Sequence, residues 1–262
     1  MKYATQDLRY MMNKLVTFLI VLFLAGLTSC KEENSVDSSN TILQNDQPII
    51  QSTHVSFVLY DELPQSITVP IITKIDQNFE RILNDMQLTS LPIIKVEIWN
   101  DETHFQNDMK RDIGTNYWGA TGYVYSPTNV RILNRGSAAQ TVLHEFAHAV
   151  SLNVNRQFGN NPRWFWEAVA IYESGEFNDP KNISYLTAGN FPTIAELTAD
   201  FNAGTRKIYE VGYLLSEYII ETWGKESYAQ MIKYNANIQL VLGISTTQFE
   251  NGWKDFVTRK YL

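Results

Sequence analysis

Residues 144–148 read His-Glu-Phe-Ala-His, preceded by Ser137-Ala138-Ala139-Gln140-Thr141-Val142-Leu143 and followed by Ala149-Val150. On a helix, positions i and i+4 share a face. His144 and His148 therefore present two imidazoles to one metal ion. Glu145 lies one step around the helix, within reach of a water held by that ion. The flanks support a helix. Ser137 and Gln140 have the Ser-x-x-Gln spacing of a capping box, and apolar residues at 142, 143, 146, 147 and 150 follow helical spacing. The competing reading is a helix whose histidines only cap or pack.

A His-Glu-x-x-His pattern on a helix is the zinc-hydrolase pattern, with the glutamate as general base. A catalytic zinc takes three protein ligands and keeps one position open. The candidate for the third lies in Asn161-Pro162-Arg163-Trp164-Phe165-Trp166-Glu167-Ala168-Val169-Ala170-Ile171-Tyr172-Glu173. Asn161 suits an N-cap and Pro162 a first helical position. Glu167 then falls in the second turn, among Trp and Val neighbours that bury it. A buried carboxylate is costly unless it is paired or bound to a metal. Arg163, at i−4, is the alternative partner.

His144-Glu145-x-x-His148, then Glu167 after eighteen residues, resembles the gluzincin metallopeptidases. In spacing it is similar to the aminopeptidase N and leukotriene A4 hydrolase group of peptidase MA-like enzymes. That group carries an Asn-Glu-Gly-Phe-Ala-x-Tyr-like segment at the third ligand. Here the segment is Trp166-Glu167-Ala168-Val169-Ala170-Ile171-Tyr172, with Ala in place of Gly. A Tyr-Glu-Lys-Gly-like segment of the family is matched by Tyr209-Glu210-Val211-Gly212-Tyr213-Leu214-Leu215. The resemblance spans roughly residues 115–225, with a weak continuation to the end. It implies Zn2+ held by His144, His148 and Glu167, with Glu145 as the base. It also implies Tyr209 as the residue that stabilises the oxyanion; the bland reading of Tyr209 is a core residue on an apolar helix.

The same resemblance implies an α+β zincin (thermolysin-like) metalloprotease domain. Such a domain has a small N-terminal mixed sheet with an edge hairpin, followed by a helical C-terminal half. In gluzincins the substrate backbone adds to an exposed edge strand beside the cleft. Trp118-Gly119-Ala120-Thr121-Gly122 falls at that place, which makes Gly119, Ala120 and Thr121 the substrate-binding candidates. A plain glycine-containing hairpin arm is the alternative. Aminopeptidases of the group read a free N-terminus partly through the acid of a Gly-Ala-Met-Glu-Asn segment. The matching Gly119-Ala120-Thr121-Gly122-Tyr123 has no acid, so endoproteolysis of a peptide or protein substrate is expected, unless Glu173 or Glu176 supplies the charge. The resembling enzymes also place an acid four or seven residues past the third ligand. Those positions here are Ile171 and Ser174, which leaves Glu173 or a backbone carbonyl to take that place. The competing function is an inactive zincin-fold surface lipoprotein that binds protein or glycan.

Upstream, residues 54–60 and 93–99 read as strands, the second half-buried by its alternation. Residues 70–86 read as a helix, with Ile71, Ile72, Ile75, Phe79, Ile82 and Leu83 at helical spacing. Asp101 caps a short helix to about residue 109, and residues 117–134 form a hairpin around Ser126-Pro127-Thr128-Asn129. Downstream, residues 207–223 form a long helix ending at Gly224, and residues 228–235 and 246–261 follow as helices. Phe249, Trp253 and Phe256 lie on one face. His54 and His104 lack ligand spacing and read as surface or structural.

At the N-terminus, the short apolar run 15–27 behind Lys14 has the shape of a signal-peptide core. Met11 or Met12 gives the more usual start. Leu27-Thr28-Ser29-Cys30 resembles a bacterial lipobox, which implies a lipoprotein signal peptide at 1–29, lipidation of Cys30 and an outer-membrane anchor. A signal-anchor with an incidental cysteine is the alternative. Cys30 is the only cysteine, so no intrachain disulfide forms. Cys30-Lys31-Glu32-Glu33 is similar to a surface-export signal of Bacteroidota lipoproteins. Residues 30–50 read as a tether and 51–262 as the peptidase domain. Without residues 1–29 the chain has 18 basic and 27 acidic side chains, a net charge of −9. No basic stripe speaks for nucleic acid. A monomer is expected.

Overall fold

The computed structural model describes residues 50–203 and 206–262, with backbone alone for 200–203. The expected signal peptide, Cys30 and the tether through residue 49 lie outside them. Ile50, the last expected tether residue, already belongs to a strand.

The elements run β1 (Ile50–Gln51), β2 (Val55–Leu59), α1 (Thr68–Asp85), β3 (Ile94–Trp99), α2 (Glu102–Ile113), β4 (Gly122–Ser126) and β5 (Asn129–Leu133). The helical half follows as α3 (Ala138–Val154), α4 (Arg163–Ser174), α5 (Ser184–Thr187), α6 (Ile194–Ala203), α7 (Ile208–Lys233), α8 (Ile238–Leu242) and α9 (Thr246–Tyr261). The architecture is α+β, a mixed sheet followed by helices, as the sequence predicts.

The strand order is β1-β2-β3-β5-β4. β2, β3 and β5 are parallel, while β1 and β4 pair antiparallel with β2 and β5. Phe57, Val96 and Val130 align across the parallel strands. With Val55, Ile98 and Ile132 they turn one face of the sheet toward Ile71, Ile75 and Ile82 of α1 and Val142, Phe146 and Val150 of α3.

The second face corrects the expectation of a half-exposed β3. Trp99 and Leu133 form a smaller core there with Phe105 and Met109 of α2. Glu97 and Arg131 are buried beside it. Arg131 Nε lies 3.0 Å from Glu97, and its guanidinium also pairs with Asp112. β3 is thus covered on both faces because α2 crosses under it.

Asp101 does cap α2: its Oδ1 accepts the His104 N–H at 2.7 Å. The helix runs a turn further than expected and stops at Gly114, whose φ of 80° suits glycine. α9 has the expected bounds. Gly224 does interrupt the long helix, at φ 82° and ψ 169°, but helix resumes directly after it and not at 228. His54 stacks on Phe79, and His104 pairs with Asp61, both away from the zinc-ligand candidates.

β4 is an edge of the sheet and lies along α3. Asn153 Nδ2 donates to Pro127 O at 2.7 Å, tying the hairpin turn to the end of α3. Gly122 faces Glu145 closely enough that a Cβ there would meet Glu145 Cγ and Oε1 at 2.8 Å.

Candidate metal centre

α3 carries His144, Glu145 and His148 along the sheet, and α4 packs against it with Glu167 facing inward. The expected capping box at Ser137 does not form. Gln140 Nε2 instead donates to Ser174 O at 3.0 Å, which joins the start of α3 to the end of α4. α4 begins one residue later than expected, with Pro162 as the N-cap. Asn161 spends its N–H on Phe158 O, 2.8 Å away in the preceding turn.

Three ligand atoms converge. Glu167 Oε2 lies 3.6 Å from His144 Nε2 and 3.7 Å from His148 Nε2. One ligand atom from each of the three residues lies within 4.8 Å of the other two. Zinc bonds of ~2.0–2.2 Å at tetrahedral angles place ligand atoms about 3.4 Å apart. Two imidazole nitrogens and one carboxylate oxygen, set this way, fit that ion. Glu167 divides its oxygens: Oε1 takes Arg163 Nη2 at 3.0 Å, and Oε2 faces the histidines. The arginine pairing occupies Oε1 and leaves Oε2 toward the histidines, so it does not compete with the ligand reading of Glu167.

Each histidine is oriented differently. His144 Nδ1 lies 2.8 Å from Glu176 Oε1, which also accepts the Ser174 hydroxyl at 2.5 Å. Glu176 gets there because α4 ends on Gly175 at φ 75°. The Glu176 N–H returns to Ile171 O and the Gly175 N–H to Tyr172 O, a Schellman turn that folds the chain back over the helix end. The expected substitute, Glu173, is elsewhere: it is fully buried, with Oε2 2.6 Å from Arg81 Nη1. His148 Nδ1 has no hydrogen-bond partner among the described residues. Its ring stacks on Trp166, with centroids 3.9 Å apart and planes 12° from parallel.

Burial disfavours charge on His144, but hydrogen bonds to Glu167 and Glu176 outweigh it and raise its pKa to about 10. In His148 burial prevails, with the His144 charge adding to it, and the pKa falls to about 4. Glu167 is held well below the usual carboxylate range: burial opposes this, but the two histidines outweigh it. Glu145 has no hydrogen bond of that kind, and burial pushes it up to about 7.

The first turn of α7 brings Tyr209 to the site. Its hydroxyl accepts from Arg163 Nη2 at 3.3 Å. It lines the same cleft as His144, Glu145, His148 and Glu167, about 900 Å3 in volume. A second lobe of about 600 Å3 adjoins it and shares Tyr117, Ala120, Gly122, His144, Glu145 and Tyr209. Gly119, Ala120 and Thr121 all line this second lobe, but they lead into the edge strand and are not in it. Gly119 makes a turn at φ 92°. Thr121 O accepts the Leu133 N–H at 2.8 Å and extends the β4–β5 ladder by one rung.

The residues that sequence reasoning left without a place here are Gln140, which it assigned to a cap, and Trp166. Glu176 it considered only as an acid for a substrate ammonium. The Gly175-Glu176 pair behind Ser174 was the available signal, since a helix-ending glycine turns its successor back toward the last turn. No protein-family model matches the chain, and no curated protein matches it.

Proposed function

We propose that this chain is a zinc-dependent endopeptidase of the zincin fold. The convergence of His144, His148 and Glu167 next to the buried Glu145 carries this reading. Those three residues would hold a zinc ion, which would supply Lewis acidity to a scissile carbonyl and to a water. Glu145 accepts a proton from that water as its oxygen attacks the carbonyl carbon. It then delivers the proton to the amide nitrogen, and the C–N bond breaks to a carboxylate and an amine. The Tyr209 phenol lies in the cleft, where it donates to the carbonyl oxygen as negative charge develops.

Two observations favour cleavage within a chain. The cleft extends to both sides of Glu145 through its two lobes. The acids that would hold a substrate ammonium are otherwise engaged, Glu176 by His144 and Glu173 by Arg81.

Metal analysis with a peptide-library digest tests the function. The protein is expected to hold one zinc and to cleave internal bonds. Glu145→Gln is expected to keep zinc and lose at least ~100-fold in rate. Zinc without cleavage of any peptide would leave a binding module in place of an enzyme.

The placement is also proposed: an outer-membrane lipoprotein anchored through Cys30 and exposed at the cell surface. No helix of the described residues is long and apolar enough to cross a membrane. Cys30→Ala is expected to abolish labelling by a palmitate analogue, and normal labelling of that variant would refute the anchor.

A further inference from the structure

We infer that Arg163 is a positioning residue which sets both the third ligand and the cleft tyrosine from one guanidinium nitrogen; this rests on the peptidase reading above. Arg163 Nη2 lies 3.0 Å from Glu167 Oε1 and 3.3 Å from Tyr209 Oη. The arginine opens α4 one turn before Glu167, its side chain is 20% exposed, and it lines the cleft.

The first contact decides which carboxylate oxygen is left for the metal. A glutamate has a broad terminal torsion, so an unanchored Glu167 has no fixed direction for either oxygen. With Oε1 held by the guanidinium, Oε2 is the atom left facing both histidine nitrogens. Groups that orient a metal ligand in this way typically govern affinity by ~10–100-fold.

The second contact decides what the phenol does. A guanidinium only donates, so Tyr209 Oη is an acceptor in this bond. The phenol's own hydrogen bonds to Glu167, so arginine, tyrosine and third-ligand candidate hold one another where all three line the cleft. Arg163 thereby fixes the place of Tyr209 in the cleft, where an oxyanion would draw the phenol's hydrogen away from Glu167. A lysine in its place has a point charge on a flexible stem and lacks the planar fork that fixes the direction of the contact.

The test uses full-length protein and the variants Arg163→Gln, Tyr209→Phe and the double variant, each confirmed folded by circular dichroism. Zinc affinity is measured by competition with a chelator. The dissociation constant of a phosphinic peptide, a tetrahedral anion, is measured on zinc-saturated protein. Arg163→Gln is expected to weaken zinc about 10-fold or more, and Tyr209→Phe by less, since its neutral hydroxyl bonds the same carboxylate more weakly than the guanidinium does. Each single variant is expected to weaken the phosphinate about 10-fold, and the double variant no more than the weaker single one, as two residues acting as a unit require. Unchanged zinc affinity in Arg163→Gln overturns the ligand half. Additive losses of phosphinate affinity overturn the tyrosine half. A wild-type protein that binds no zinc at all refutes the peptidase reading itself. One that binds zinc but no phosphinate overturns the tyrosine half, with the zinc competition still deciding the ligand half.

Discussion

Glu176 Oε1 lies 2.8 Å from His144 Nδ1, nine residues beyond the third ligand candidate and just past the end of its helix. The contact leaves His144 Nε2 as the nitrogen that faces Glu167. A neutral imidazole that donates from Nδ1 to a carboxylate has its lone pair on Nε2, where a metal needs it.

Removing that acceptor is therefore expected to weaken metal binding without unfolding the protein, since Glu176 sits at the surface end of α4. Glu176→Gln should lower zinc affinity by ~10–100-fold in a chelator competition. Affinity equal to that of the wild type would show that His144 is held by packing alone.

At Gly122 the edge strand approaches the proposed base. A methyl group there would meet Glu145 Cγ and Oε1 at 2.8 Å. Gly122→Ala is expected to cost about 1–3 kcal/mol of stability, the usual range for overpacking. It should also displace the Glu145 carboxylate, so turnover should fall while zinc content stays at one per chain. Undiminished turnover would mean that the carboxylate has room to swing clear.

Endopeptidase action has a direct check. Matched peptides with free and acetylated N-termini should be cut at the same internal bonds at similar rates. Cleavage restricted to the free peptides, with release of single residues, would make the enzyme an aminopeptidase.

The second face of the sheet sets an acid-stability prediction. Burial opposes ionisation of Glu97, but the hydrogen bond from Asn129 and the charges of Arg131 and Lys95 outweigh it and lower its pKa. A carboxylate whose folded pKa lies below the unfolded one adds stability at high pH. That contribution is complete above the ordinary value of 4.5 and is lost as pH falls through the folded value. Glu97→Gln is expected to cost about 2 kcal/mol at pH 7 in urea unfolding, the scale of hydrogen bonds to charged groups. The gap between the two proteins should narrow below about pH 4.5. A gap that stays constant down to pH 3 would show that folding leaves the Glu97 pKa unchanged.

Most of the fold's order was legible because its signals are local. The spacing of Ile71, Ile75, Phe79 and Ile82 gives α1, Asp101 starts α2, and α9 carries its own start signal, with Ser245 and Gln248 forming a reciprocal capping box. Where a side chain had two partners to choose between, local signals misled. Ser137 and Gln140 have the spacing of the same box, yet the end of α4 claims the Gln140 amide. β3 alternates like a half-exposed strand, but its Glu97 joins Arg131 of β5 in a buried ion pair that only the tertiary fold assembles. The short helices α5, α6 and α8 passed unread. The 4-residue α5 and the 5-residue α8 are too short for apolar periodicity to register. At the site, the motif residues His144, Glu145, His148 and Glu167 meet as the spacing implies, while the Glu176 contact depends on a chain reversal that no spacing encodes.

The tie between Asn153 and Pro127, together with the approach of Gly122 to Glu145, gives the cleft a polarity. Both pairs advance together along the two segments, so β4 points the same way as α3. An extended chain that joins β4 in antiparallel register must then run against α3. Its amino end would lie over Leu152 and the turn after α3, and its carboxyl end over Gln140 and the Trp118 turn. The two lobes would therefore read residues on opposite sides of the cut bond: the larger lobe what comes before it, the smaller what comes after.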